Sequence, residues 1–413
     1  MKLLIHAHAY PDFLKGIYAV RPDLATLDYR AQFAALDRES HIWGNSTWAV
    51  ALRPWGYDVM VTISNNEHIQ KTWAKEHGFR YRPASWQTEI AEAQIASFQP
   101  DLLFFTSYGG LRPEWIKHLR EKYSKVCLWG IWCGMPFRSI DIFKPFDLIL
   151  TCIPELQERF CSFGCNSRHM HHAFDPRVLD HIDVDREQDI PFSFIGQLIR
   201  GRGFHDARIR QLERIAGAME ITIFSPAHEF YLAPRPRQSM RVAGYLARIL
   251  TGMHVPRKAL DRLPLVREAI HRTEPSSKKL RPHTRAAVFG LAMYQTLQRS
   301  QVTYNNHGEV SSGSASNRRL FESTGVGSCL LTDHKANISS LFEPDREVVT
   351  FSSTDECIEK AKWLLDHPQE RRTIAQAGQR RTLAEHTFTQ RASQFDAIIR
   401  EVLSGAAPAR HRG

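Results

Sequence analysis

Short runs of consecutive apolar residues, many of them followed by a stretch with helical spacing, recur along almost the whole chain. In the first half the runs are Lys2 to His6, Asp58 to Ile63, Asp101 to Thr106, Val126 to Ile131 and Asp147 to Thr151. Helical spacing falls between them at Asn45 to Pro54, His68 to Gly78, Trp86 to Phe98 and Pro113 to Tyr123. A strand that is apolar on both faces must be covered on both faces, so repeated βα units of this kind predict a parallel sheet between two layers of helices. From Asn166 to Asp189 the pattern gives way to a polar, charge-rich stretch, and a second series opens at Phe192 to Gly196. It continues with a helix from His205 to Met219, a strand from Glu220 to Phe224, a helix from Ala286 to Arg299 and a strand from Gln301 to Asn305. The strand Glu347 to Phe351 and helices at Asp355 to Asp366 and Pro368 to His386 complete it. At 413 residues the chain exceeds one ordinary core. The expected class is therefore α/β, with two doubly wound, Rossmann-like domains. The expected boundaries are 1–175 for the first domain, 176–190 for the linker and 191–395 for the second domain. A helix end and a disordered tail would fill 396–413.

Composition narrows the setting. Hydrophobic residues make up 43% and charged residues 24%, as in soluble globular proteins. No apolar run reaches the roughly 18 to 20 residues that span a bilayer. The opening residues MKLLIHAHAYPDF read as a first strand rather than a secretion signal, because a His and a Pro-Asp interrupt any apolar core. Seven scattered cysteines, an odd number, fit reduced thiols and a cytoplasmic location. The formal charge of +10 is local: 13 Lys/Arg against 3 Asp/Glu lie between Arg235 and Arg285, which leaves the rest of the chain neutral. This basic helical insertion, bounded at 233–285, points to an anionic partner. Its Leu246, Ile249, Leu250 and Met253 share one helical face, suited to an anionic membrane surface at the inner face of the cell membrane or to a phosphorylated lipid-linked acceptor. The competing reading is an insertion packed on its own domain with its charges solvated. Nucleic acid is disfavoured, since Tyr245 is the one aromatic in the basic stretch.

The segment Asn317 to Asp333, NRRLFESTGVGSCLLTD, carries the most chemistry. It predicts a helix from Asn317 to about Thr324, a stop at Gly325 and Gly327, and an apolar strand. Backbone N–H groups near Ser316 and Asn317, with Arg318 and Arg319 in the first turn, suit a diphosphate. One turn on, Glu322 can accept two hydroxyl hydrogen bonds, as from a ribose. Diphosphate and diol together describe a nucleotide sugar; the alternative is a solvated surface charge cluster. In a parallel sheet the loops at strand carboxyl ends line the crevice. That adds Gly196, Arg200 and Arg202 after one strand and Asn306 and His307 after another as donor-binding candidates. His8 and Asp12, after the first strand, are candidates for a catalytic base. Ser107 to Gly110 and Trp132 to Gly134 end two further strands. Asp183-Val184-Asp185 has metal-binding spacing but sits in a charged linker. His169, His171 and His172 lack the paired ligands of a closed zinc site, so no metal is expected. The sequence has neither a GxGxxG fingerprint nor a P-loop, which argues against NAD enzymes and NTPases.

Two such domains joined by one linker resemble the GT-B architecture of nucleotide-sugar glycosyltransferases. The stretch from about Ser300 to Phe395 is more specifically similar to the CgeB-like group. The similarity rests on Asn317-Arg318-Arg319-Leu320-Phe321-Glu322, on Leu330-Leu331-Thr332-Asp333, and on the closing Ile374-Ala375-Gln376-Ala377-Gly378-Gln379-Arg380-Arg381. Asp147 to Glu155 and His172 to Pro176 echo the same group more weakly. The resemblance implies transfer of a sugar from a nucleotide-sugar co-substrate, without other cofactor, to a surface glycan, lipid-linked or small-molecule acceptor. It also implies that Arg318 and Arg319 hold phosphate while Glu322 holds the ribose. Many retaining relatives carry a second, sugar-facing glutamate eight positions earlier, where this chain has Ser314. A nucleotide-sugar 2-epimerase of the same fold and a non-catalytic polyanion- or membrane-binding protein are the alternative expectations.

Overall fold

The computed structural model describes residues 1–40, 46–137, 139–198, 206–232, 277–308, 311 and 313–405. Arg200, Arg202, most of the basic insertion (233–276) and the tail beyond 405 lie outside these residues.

The first apolar series forms a six-stranded sheet in the order β2-β1-β3-β4-β5-β6, parallel throughout. Its strands are β1 (Lys2–Ala7), β2 (Asp58–Ile63), β3 (Leu102–Phe105), β4 (Leu128–Trp132), β5 (Leu148–Thr151) and β6 (Ser167–His169). β3, β4 and β5 are buried at every position, as strands between two helix layers must be. The second series gives another six-stranded parallel sheet, in the order β12-β11-β10-β7-β8-β9. It comprises β7 (Ile190–Ile195), β8 (Thr222–Phe224), β9 (Thr284–Arg285), β10 (Ser300–Asn305), β11 (Cys329–Asp333) and β12 (Val349–Phe351).

Several elements depart from expectation. The helices Tyr29–Ser40 and Pro154–Ser162 and the strands β6 and β9 were not legible. β6 is three residues long and falls inside the polar stretch that reads as linker, so the first sheet reaches further along the chain than its apolar runs indicate. The predicted helix from Asn317 is shorter, Arg319–Gly325, and its N-cap, Arg318, makes no side-chain capping bond. At its end Gly325 leaves no room for a side chain, since a Cβ would stand 2.5 Å from the Phe174 ring. Gly327, at φ +81°, then turns the chain into β11.

The chain also crosses back. The helix Phe388–Leu403 follows the second sheet in sequence but packs into the first domain's core. There Phe395 meets Trp48, Tyr57 and Phe104, and the Tyr57 hydroxyl donates to the buried Asp396 at 2.9 Å. A residue range ending the second domain at 395 therefore divides a helix whose apolar face belongs to the first. The start of the linker is tied to the first domain where the Thr47 hydroxyl donates to Asp175 at 2.8 Å and where Arg177 binds both.

Candidate active site

Each sheet has a point where the chain reverses the direction in which it adds strands, and crevices form outside the carboxyl ends there. In the first sheet that point lies between β1 and β3, and in the second between β7 and β10. The residues just beyond these four strands face one cavity of about 660 Å³ between the domains: His8 and Thr106 from the first sheet, Gln197 and His307 from the second. That volume is within the range of small-molecule sites.

The first-domain wall is mostly aromatic and aliphatic. Ala9, Tyr10, Pro11, Tyr108, Trp132, Met135, Pro136 and Ile153 line it, and Tyr10 and Met135 keep half or more of their surface exposed. The loops Ser107 to Gly110 and Trp132 to Gly134 both contribute, as their strand-end positions predict. His8 sits at the mouth with its backbone N–H donated to Thr106 at 3.2 Å. Partial burial by the cleft pulls its imidazole below the ordinary value, so its lone pair is free at neutral pH. His172, from the polar stretch between the two strand series, lines the same wall beside Trp132, with ring centroids 5.1 Å apart. Burial first, and then the Arg318 charge, hold His172 well below its usual range, and its Nδ1 has no hydrogen-bond partner among the described residues. A three-residue strand hid it, because a strand end cannot be placed when the strand itself is not legible.

The second-domain wall is polar and tied down. Ser316, Asn317 and Arg318 enter the cavity from the segment before the Arg319–Gly325 helix. Asn317 and Asn305 exchange amide bonds of 2.7 and 3.2 Å, which pins that segment to the end of β10. Ser316 bonds the Ser311 hydroxyl at 2.6 Å. His307 borders the cavity with its ring held by Asp333 at 2.7 Å. The remaining candidates stand behind this wall. Arg319 pairs with Glu322 at 2.9 Å and donates to the Ile195 carbonyl at 3.3 Å, while Arg318 stands 4.0 Å from the same buried carboxylate. Glu322 does not line the cavity. Asn306 turns away, its amide bonded to Gln211 and its carbonyl to Arg208, each at 2.8 Å. Gly196 is held by the Phe224 carbonyl at 3.1 Å and leaves the cavity to its neighbour Gln197. Asp12 is exposed in the first turn of the helix Pro11–Val20, outside the lining.

Asp183 and Asp185 lie away from the cleft, Asp185 on a separate groove of about 540 Å³ beside the amino-terminal ends of β10 and β11. Among the described residues no group of three His, Cys, Asp or Glu is arranged to hold a metal ion. All seven cysteines are free. No helix among the described residues is long and apolar enough to cross a membrane.

Two parallel doubly wound sheets facing across such a cleft define the GT-B architecture. Solved structures share it over nearly the full length. Anabaena HepE in complex with UDP-glucose superposes with a TM-score of 0.53 at 11% identity, covering 97% of this chain and 100% of that one. The same protein in complex with UDP and glucose gives 0.53 at 12% identity over the same shares. Sucrose-phosphate synthase from Thermosynechococcus elongatus gives 0.50 at 10% identity, covering 98% and 100%. At these identities the likeness is one of fold. Residues 256–397 match the family described as "Glycosyl transferase-like". No curated protein sequence matches the chain.

Proposed function

We propose that the protein is a glycosyltransferase that moves a sugar from a nucleotide-sugar donor to an acceptor held against the first-domain wall. The observation that carries this reading is the convergence of both sheets' reversal points on one cavity with unlike walls. Arg318 and His307 stand on one side, and an aromatic surface with a neutral histidine stands on the other. Transfer needs positive charge at the departing diphosphate and an acceptor hydroxyl near the anomeric carbon. In this reading Arg318, His307 and the peptide N–H groups around Ser316 and Asn317 receive the diphosphate, and no metal or further cofactor is called for. Arg319 and Glu322 brace Arg318, and Glu322 reaches the ribose only if its pairing with Arg319 opens. His8 is the candidate base, since its depressed protonation leaves it able to accept the acceptor's proton at neutral pH.

The UDP-bound relatives of the same fold support UDP as the first nucleotide to try, and the family match over 256–397 supports transfer as the reaction. The motifs between Asn317 and Arg381 support a place among CgeB-like enzymes, acting on a surface glycan, lipid-linked or small-molecule acceptor. The basic surplus between Arg235 and Arg285 supports work at the cytoplasmic side of an anionic membrane. Incubation with UDP- and GDP-sugars tests the reaction: release of nucleoside diphosphate that rises with added acceptor is expected. Acceptor-independent epimerisation of the sugar would instead assign the site to a 2-epimerase.

A further inference from the structure

Asp333, which holds the His307 ring, is engaged on both of its oxygens beneath the second wall. β10 and β11 run side by side with Asn305 opposite Thr332, so Asp333 at the end of β11 meets His307 just beyond β10, under the cavity. One Asp333 oxygen accepts both the His307 backbone N–H at 2.9 Å and the His307 ring Nδ1–H at 2.7 Å. The other lies 3.2 Å from the Lys335 ammonium. Burial alone would push the Asp333 carboxyl up. The hydrogen bonds and electrostatic attraction of His307, and after them the charge of Lys335, outweigh it and hold the group below the usual carboxylate range. An ionised carboxylate only accepts, so the ring proton of a neutral His307 must sit on Nδ1.

Nε2 is what remains. It belongs to a side chain with no exposed surface, on a residue that borders the cavity, and it has no hydrogen-bond partner among the described residues. Leaving a buried polar nitrogen unsatisfied is unfavourable, and an arriving ligand can relieve it. Asp333, at the end of β11, bonds the ring and Lys335 pairs with Asp333; Arg318 lines the same cavity, and Arg208 binds the carbonyl of the preceding residue, Asn306. His8 and His172 face the ring from the opposite wall of the cavity. Among the described residues Asp333 is the anion bonded to the ring, and a diphosphate entering the cavity would bring negative charge to the side of Nε2.

Resting on the nucleotide-sugar reading, we propose that His307 and Asp333 form a dyad in which Nε2 takes one proton from solvent as a diphosphate enters and, as Nε2–H, donates a hydrogen bond to a phosphate oxygen. The new N–H bond forms at the expense of one hydronium or buffer acid, and the proton returns to solvent when the diphosphate leaves. During transfer the bond between the anomeric carbon and the diphosphate oxygen breaks with its electron pair going to oxygen, and the Nε2–H hydrogen bond stabilises that charge. His307 touches the ligand; Asp333 is a positioning residue that fixes the ring and supports its charge.

Titration calorimetry of UDP into the full chain, in PIPES and in Tris, tests the dyad, with Asp333→Asn and His307→Gln beside the wild type. The wild type should show a binding enthalpy that depends on the buffer, reporting proton uptake, and an affinity that falls as pH rises. Asp333→Asn should melt within a few degrees of the wild type and bind UDP about tenfold more weakly, the loss expected when a charge-assisted bond becomes a neutral one. Its buffer dependence should drop to that of His307→Gln, which removes the ligand's own proton exchange from the comparison. Binding with the same proton uptake in wild type and Asp333→Asn overturns the dyad alone. Failure of UDP, GDP, ADP and pyrophosphate to bind at all overturns the nucleotide-sugar reading, and the dyad with it.

Discussion

The two walls of the cleft are built in opposite ways. On the second-domain side several polar groups that border the cavity are secured from behind: Asn317 by Asn305, Ser316 by Ser311, and the His307 ring, at Nδ1, by Asp333. On the first-domain side the lining is broad, apolar and partly exposed, with Tyr10 at 50% and Met135 at 54% of their full surface. A wall braced by short hydrogen bonds suits a ligand of fixed charge and shape, such as a diphosphate. An open aromatic wall suits a partner recognised by area rather than by charge. In the proposed reading, donor and acceptor recognition would therefore be carried by different physics on the two faces.

The largest expected effect lies in what supports the first wall. Phe395→Ala removes a buried ring that packs on Trp48, Tyr57 and Phe104, and should destabilise the protein by about 3–5 kcal/mol in denaturant unfolding. An effect confined to the second sheet would contradict the assignment of the Phe388–Leu403 helix to the first core.

Acidification should separate the walls next. His6, enclosed by Phe105 and Trp115 behind His8, is held down to about 4 from 6.5 by burial and by its neighbour. The unfolded chain therefore binds a proton that the folded chain refuses, and stability should fall between pH 6.5 and 4, by on the order of 3 kcal/mol from His6 alone. Asp333, whose folded value is also depressed, contributes stability that is lost only as pH drops below 3.8. Hydrogen exchange read against pH should show the first sheet losing protection before the second; simultaneous loss would break the comparison.

Smaller effects address binding. Arg318→Ala should weaken nucleoside diphosphate affinity by between about 10- and 100-fold, the range for a charged hydrogen-bond donor, as seen in calorimetry. Tyr10→Ala should leave that affinity within about twofold while slowing turnover with acceptor, because an exposed side chain on the far wall contributes only local contact area. A large loss of nucleotide affinity in Tyr10→Ala would mean that the donor also uses the first wall.

The two walls were unequally legible. β11 and the ends of β10 announce themselves as apolar runs, and Arg318 and Asn317 fall where strand-end loops must lie, so the second wall could be read from the chain. The dyad could not, because 26 residues separate His307 from Asp333 and only the parallel register of β10 and β11 joins them. Glu322 reads as a free ribose ligand in sequence, whereas its partner Arg319, one turn away on the same helix, occupies it in the fold. The first wall was legible as His8 after the first strand and as glycine-bearing strand ends. His172 follows a strand of three residues, and the Phe388–Leu403 helix returns to a core begun almost 400 residues earlier, a contact that no local pattern encodes.

A thermal-shift screen of wild type and Arg318→Ala against nucleoside diphosphates tests the central claim most directly. The account predicts that one nucleoside diphosphate raises the wild-type melting temperature, with about 2.7 kcal/mol of stabilisation at a hundred times its Kd, and that Arg318→Ala loses most of this shift. No shift with any nucleoside diphosphate, or an equal shift in the two proteins, would contradict it.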